Sequence, residues 1–215
     1  MDGCALPAVL RKALSKRSGS KFIRLAINCK LWAAELPTVG AARPARCVGC
    51  GMASIDAGRV LVHGHGRRER QQRGPALPGD KPRIDVVRLR RYQCQRCGAV
   101  MTAAPEQVQK HKHFSACAIG WALALFGLAA MSAAAVREQV SPWCTHGTER
   151  WATLLGWARQ ARSGVLFANS RGYPPDFTLR QVAARCANTL AAMAASPWST
   201  APPPVRAFFG AARAR

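Results

Sequence analysis

The sequence predicts an α+β protein: a small zinc-ribbon β-hairpin module followed by an α-helical, helix-turn-helix-like block. Three observations carry this. Cys47-Val-Gly-Cys50-Gly and Cys94-Gln-Arg-Cys97-Gly repeat one pattern. Between them lie two runs rich in β-branched residues, and after them comes an alanine-rich segment with helical periodicity.

The chain has 215 residues, of which 32 are Lys or Arg and 10 are Asp or Glu, a formal net charge of +22. Such an excess attracts polyanions, and nucleic acid is the expected partner. Nine cysteines are many for this length. The start, MDGCALPAVLRKALSKRSGSK, carries an early Asp and charges that break every apolar run, so no secretory signal is expected and the cytoplasm follows as the location. In a reducing compartment, cysteines paired at short spacing are metal ligands more often than disulfides. Cys4, Cys29, Cys117, Cys144 and Cys186 have no close partner and read as small hydrophobes or incidental thiols.

Taken in order, residues 1–43 form a basic arm. Residues 6–36 read as helical in two pieces, with Phe22, Leu25, Cys29, Ala33 and Leu36 near helical spacing, and PTVGAARPAR closes the arm. Residues 44–110 form the cysteine module. RVLVHGHGRRERQQRG and RIDVVRLRRYQ suit strands, and PALPGD between them suits a loop. Residues 111–162 form the helical block. Ser115 caps a helix running to about Ala129, Ser132 starts a second that ends near Val140, and a third runs from about Thr148 to Arg162. Residues 163–215 are read as a linker, a helix over Thr178–Ala195 and a mobile Pro-rich basic tail. Phe114–Val136 carries no charge and is long enough to span a bilayer, but its Ala, Gly and Ser content and the helix start at Ser132 argue against a span, and no membrane partner is expected.

Cys47, Cys50, Cys94 and Cys97 supply four thiolates in two bidentate turns, which suits one structural Zn2+ with no open coordination position. Gly51 and Gly98 permit the left-handed backbone that follows such a turn. The 43 residues between Cys50 and Cys94 exceed the usual ribbon spacing of about 15 to 20. Loop-closure entropy rises only slowly with length, and a metal contributing about 10–16 kcal/mol can hold such an insert. Redox dithiols and unliganded thiols are the competing readings, and His63, His65, His111 and His113 are alternative ligands.

Arg67, Arg68, Arg70, Arg73, Arg88, Arg90 and Arg91 fall on the insert and are expected to meet phosphates. The third helix carries Trp151, Leu154, Leu155 and Ala158 along one face, and Arg150, Thr153, Arg159, Gln160 and Arg162 elsewhere. That pattern fits a recognition helix reading bases in the major groove of double-stranded DNA. An ordinary three-helix core with a solvated basic face gives the same pattern.

The order of Cys47-x-x-Cys50-Gly, LPGDKPRIDVVRLRRYQCQRCG, PEQVQKHKHFS and SAAAVREQV…TLLGWARQA resembles the front end of bacterial insertion-sequence transposases that begin with a zinc ribbon, and of related stand-alone proteins of uncharacterised function. The resemblance spans about residues 44–162. It implies that the four cysteines bind zinc, that ribbon and helix-turn-helix recognise element-end DNA, and that Thr153–Ala161 with Trp157 begins the recognition helix. The transposases continue into a domain whose three carboxylates hold two metal ions. Here the only acid after Glu149 is Asp176, so a non-enzymatic accessory or regulator of a mobile element is expected, nucleoid-associated and working beside a separately encoded transposase. Two alternatives remain: an RNA-associated module in which Tyr92 stacks on a base, and an interaction scaffold using the helix over 178–195.

Overall fold

The structure is a computed structural model that describes residues 21–27, 29–143, 150–170 and 172–214. The chain divides into two units. One takes in Met1–Arg70 and Val87–Glu106, the other Gln71–Val86 and Gln107–Arg215. Residues 1–20 of the expected basic arm, with Cys4, lie outside the described residues, as do Cys144, Thr148 and Glu149.

The first unit is built on a four-stranded sheet of order β1-β6-β5-β4. Its strands are β1 (Phe22–Leu25), β4 (Val62–Gly74), β5 (Arg83–Cys94) and β6 (Val100–Pro105). A helical turn, α1 (Cys29–Ala34), follows β1, and β2 (Ile55–Asp56) pairs with β3 (Arg59–Val60) in a small separate hairpin. The two central strands pair antiparallel with Tyr92 opposite Met101, while β1 runs parallel to β6 with Phe22 opposite Thr102. Phe22–Leu25 is therefore a strand, not part of the helix its spacing suggests. The open edge of β6 offers it a ladder, and a four-residue segment gains more from those bonds than from one helical turn.

Trp32, Val62, Val87, Leu89, Tyr92 and Met101 are the large buried side chains of this unit. Trp32 Nε1 donates to the carbonyl of Arg88 at 2.6 Å and Tyr92 Oη donates to that of Val39 at 2.9 Å. Both ring polar atoms are satisfied while the rings fill the core. These bonds fasten the segment before residue 43 onto the sheet, so the expected arm and cysteine module form one unit. The β4–β5 hairpin lies where the β-branched runs placed it, with a turn at its tip in which the Leu77 amide donates to Asp80 Oδ2 at 3.0 Å.

The second unit is helical apart from the hairpin tip, Gln71–Val86, which it includes. Its helices are α2 (Ala116–Gly127), α3 (Ala133–Val140), α4 (Ala152–Arg162), α5 (Leu179–Ala192) and α6 (Pro203–Ala211). Three starts are fixed by side chains: Ser115 Oγ accepts from Ala118 N, Ser132 Oγ from Ala135 N, and Thr178 forms a capping box with Gln181. Every residue of α2 from Ala116 to Phe126 is buried, which explains the charge-free stretch: α2 is the central helix, packed by α3, α4, α5 and α6. A Cβ at Gly120 would lie 2.6 Å from Ala211 Cβ, so the small residues let helices approach closely. Among the described residues no helix is long and apolar enough to cross a membrane.

Two expectations about residues 163–215 are overturned. Leu166, Phe167 and Ser170 are buried, so 163–177 is not a free linker. The tail forms α6, whose Ala207, Phe208 and Ala211 enter the same core as α2 and α5. Proline at its first turn removes an amide that has no partner there anyway and pre-sets the helical φ, so the Pro-rich stretch starts a helix. A boundary at 162/163 therefore does not exist.

Candidate metal centre and basic hairpin

The two Cys-x-x-Cys turns fold alike. The amide of Cys47 donates to Met52 O at 2.8 Å and that of Gly51 to Cys47 O at 2.8 Å. In the second turn Cys94 donates to Ala99 O at 3.0 Å and Gly98 to Cys94 O at 2.8 Å. Gly51 and Gly98 sit at φ 73° and 69°, the left-handed region where a side chain would strain the backbone. Gln95 N donates to Leu61 O at 2.9 Å and closes the foot of the long hairpin beside the second turn.

All four Sγ atoms lie within 4.8 Å of one another. Cys47 and Cys94 are buried, Cys50 and Cys97 half-buried. Cys47 Sγ is 3.6 Å from Cys97 Sγ, and Cys50 Sγ 3.8 Å from Cys94 Sγ. A tetrahedron with metal–sulfur bonds of about 2.3 Å has edges of about 3.8 Å, so the four thiols fit around one metal ion with small shifts. Burial pushes the Cys97 thiol up to about 12, assisted by the neighbouring sulfurs, and burial raises Cys50 as well. Burial would raise Cys47 too, but hydrogen bonds from the amides of Cys50 and Gly49 and from the thiols of Cys97 and Cys94 outweigh it and lower its pKa. The hydrogen bonds of the cluster thus converge on Cys47, and an ion entering it would displace thiol protons.

Gly49 was not singled out from the sequence, yet it decides whether the turns can meet. A Cβ there would lie 2.8 Å from Ala99 Cβ and 3.3 Å from Cys97 Sγ. The usable signal is its place as the second middle residue of the first turn, where the facing turn comes closest. The histidines stay apart: among the described residues the four cysteines are the one metal-competent cluster, and His63 Nε2 is 2.7 Å from Val60 O.

The hairpin arginines separate into two kinds. Arg67, Arg68 and Arg88 are exposed. Arg70, Arg73, Arg90 and Arg91 are half-buried. Arg70 lies over the Phe22 ring at 5.6 Å, and burial, then the charge of Arg68, lowers its pKa. Arg90 Nε donates to Pro37 O. Arg73, in the helical unit, lies 4.0 Å over the Trp143 ring and donates to Gln71 Oε1 at 3.2 Å. The seven are thus not equivalent phosphate contacts.

Thr153 and Arg159 on α4 and Arg150 just before it are exposed. Gln160 Oε1 instead accepts from Lys112 Nζ, and Arg162 donates to Phe177 O, so both brace the helical unit. Trp157 is core, edge-on to Phe114 at 5.0 Å and Trp151 at 5.2 Å. Two further readings lose their footing. Tyr92 is 0% exposed and cannot stack on an RNA base without unfolding the sheet. Val182, Cys186 and Leu190, the apolar face of α5, are buried in the helical core and leave no free scaffold surface on that face.

No family model matches the chain, and no curated protein or solved structure does. What fold and site define is an α+β chain with a four-cysteine cluster able to hold a metal ion.

Proposed function

We propose that this chain is a DNA-binding accessory or regulatory protein of a mobile element, acting without a catalytic domain and organised around one structural zinc ion on Cys47, Cys50, Cys94 and Cys97. The observation that carries the reading is the closeness of the four thiols at the foot of a long hairpin with exposed Arg67, Arg68 and Arg88. Four soft anionic donors with no open position suit zinc in a structural role. A hairpin clamped at its foot holds charge in a fixed register, so less ordering entropy is lost on meeting a phosphate backbone. Arg150, Thr153 and Arg159 on and beside α4 would then contact the duplex, and a separately encoded transposase on the nucleoid would act on the same DNA. The net charge of +22 supports a polyanionic partner.

Duplex binding by the purified chain as a function of salt tests this. Log affinity should fall by about 0.9 per neutralised phosphate per decade of salt, with one sequence preferred over random duplex. Elemental analysis should find one zinc per chain. Equal affinity for every duplex at physiological salt would reduce the protein to a polycation, and absence of zinc would remove the clamp.

A further inference from the structure

Beside the hairpin, within the first unit, is a cleft of about 190 Å³ lined by Val39, Gly64, Gly66, Arg67, Arg90 and Arg91. Its construction is specific. Tyr92 Oη holds Val39 O at 2.9 Å, and Arg90 Nε donates to Pro37 O, so the segment through Pro37 and Val39 is fixed as one wall. Gly64 packs beneath that wall: a Cβ there would meet Val39 Cγ1 at 3.0 Å. Three arginines line the cleft, and among the described residues none of them has a carboxylate partner. Arg90 and Arg91 are half-buried and, with Arg67, place three like charges on one cleft with no opposite charge among the described residues, which favours an anion there.

The volume narrows the ligand. Pockets for whole small molecules begin at about 300 Å³, whereas this space equals that of about six waters. It is too small to bury a nucleoside whole and has room for one tetrahedral oxyanion with a little water. Arginine's planar fork suits phosphoryl oxygens, and the bond to Pro37 O limits the freedom Arg90 would lose in binding one.

We infer that this cleft is a phosphoryl-oxyanion site that seats one group of a nucleic-acid backbone. It would be the contact that fixes the register of the hairpin, while exposed Arg68 and Arg88 add only diffuse attraction. This rests on the nucleic-acid reading above. The same chemistry could come from free phosphate, and the experiment separates the two sources.

The full, metal-loaded chain is titrated with inorganic phosphate by phosphorus NMR, and separately with a short mixed-sequence duplex. Each titration is repeated on Arg67→Ala/Arg91→Ala and on a charge-matched control, Arg59→Ala/Arg185→Ala, whose exposed arginines do not line the cleft. Metal content and circular dichroism verify that both variants fold; if the pair does not, Arg67→Ala alone takes its place, since that side chain is exposed. Saturable phosphate binding by the parent and the control, lost in the cleft variant, is expected. Duplex affinity should fall at least about tenfold further in the cleft variant than in the control. Phosphate binding without that extra duplex loss would assign the cleft to a free anion and overturn the backbone assignment. Equal duplex losses with no saturable phosphate binding would overturn the site while leaving the nucleic-acid reading intact. Saturable phosphate binding by a chain that binds no duplex would sink that reading, and the backbone assignment with it.

Discussion

Removing the metal should unfold one unit and spare the other. Apart from its cysteines, the first unit's large buried side chains are Trp32, Val62, Val87, Leu89, Tyr92 and Met101. At about 1.5–3 kcal/mol each, their burial contributes about 9–18 kcal/mol before any ordering entropy is subtracted. A structural metal on four cysteines contributes about 10–16 kcal/mol, as much as that whole core and as much as the net stability of a typical domain. The helical unit has its own core around α2, including Trp121, Leu123, Leu154, Leu190 and Phe208, and no part of it depends on a cysteine turn. Amide hydrogen exchange before and after chelation, with metal loss verified by elemental analysis, reads both units at once. The amides of Cys94, bonded to Ala99 O, and Thr102, bonded to Lys21 O, should lose protection across Val87–Glu106, while α2 and α5 keep theirs. Cys94→Ser should reproduce the pattern without chelator. Unchanged protection over Val87–Glu106 in verified metal-free protein would refute the clamp, because six side chains would then hold the sheet unaided.

Gly49→Ala places a methyl 2.8 Å from Ala99 Cβ, an overpacking expected to cost about 1–3 kcal/mol and to weaken metal affinity about ten- to a hundredfold. Ala99→Gly in the same chain should restore affinity, measured by competition with a chelator; failure of that rescue would place the cost elsewhere. Phe208→Ala should destabilise the helical unit by about 3–5 kcal/mol in urea melts followed by helical circular dichroism, and a loss below about 1 kcal/mol would mean that α6 is not part of the core. At alkaline pH the helical unit should weaken. Burial, then the charge of Cys186, raises Tyr173 above its ordinary 10.0, and burial raises Cys186 above 9.0. Folding therefore favours the protonated forms, whose contribution is whole below about pH 9 and is lost as pH climbs past each unfolded value. Urea midpoints at pH 7 and pH 11 should converge in Tyr173→Phe/Cys186→Ala, and an unaltered gap would assign the alkaline loss to other groups.

What was legible in the sequence, and what was not, follows from the range of the interaction that decides each element. Ser115 and Ser132 cap helices through bonds that reach three residues along the chain, and each helix starts where that serine placed it. The cysteine turns are equally local: Gly51 and Gly98 take the left-handed conformation that their place after Cys-x-x-Cys requires. Strand β1 is decided by an edge of β6 about eighty residues away, and no periodicity within Phe22–Leu25 can announce a partner at that separation. The tail failed for a related reason. Prolines and arginines over 197–215 carry the composition of a mobile terminus, but Ala207, Phe208 and Ala211 recur at one and four residues, and Gly120 on α2 leaves room for that face. Glycine's part in α2 becomes readable only when the partner helix is known.

The same distinction separates the arginines. Composition counts them alike, whereas position divides them into charges left in water and charges taken up by the fold. Arg70 rests on Phe22 and Arg73 on Trp143. A polyanion meeting this protein would gain little from these two, because lifting them off the rings costs part of what the new contact returns. Under the proposed function, the register of binding would come from the few that are both fixed and unneutralised. Arg90 meets that condition on the hairpin, held by Pro37 O and without a carboxylate partner among the described residues. Arg159 on α4 is exposed and rigidly based. If Arg159→Ala relaxes the preference for one duplex sequence while the salt slope drops by about one phosphate, α4 reads bases; if only the slope drops, it merely touches the backbone.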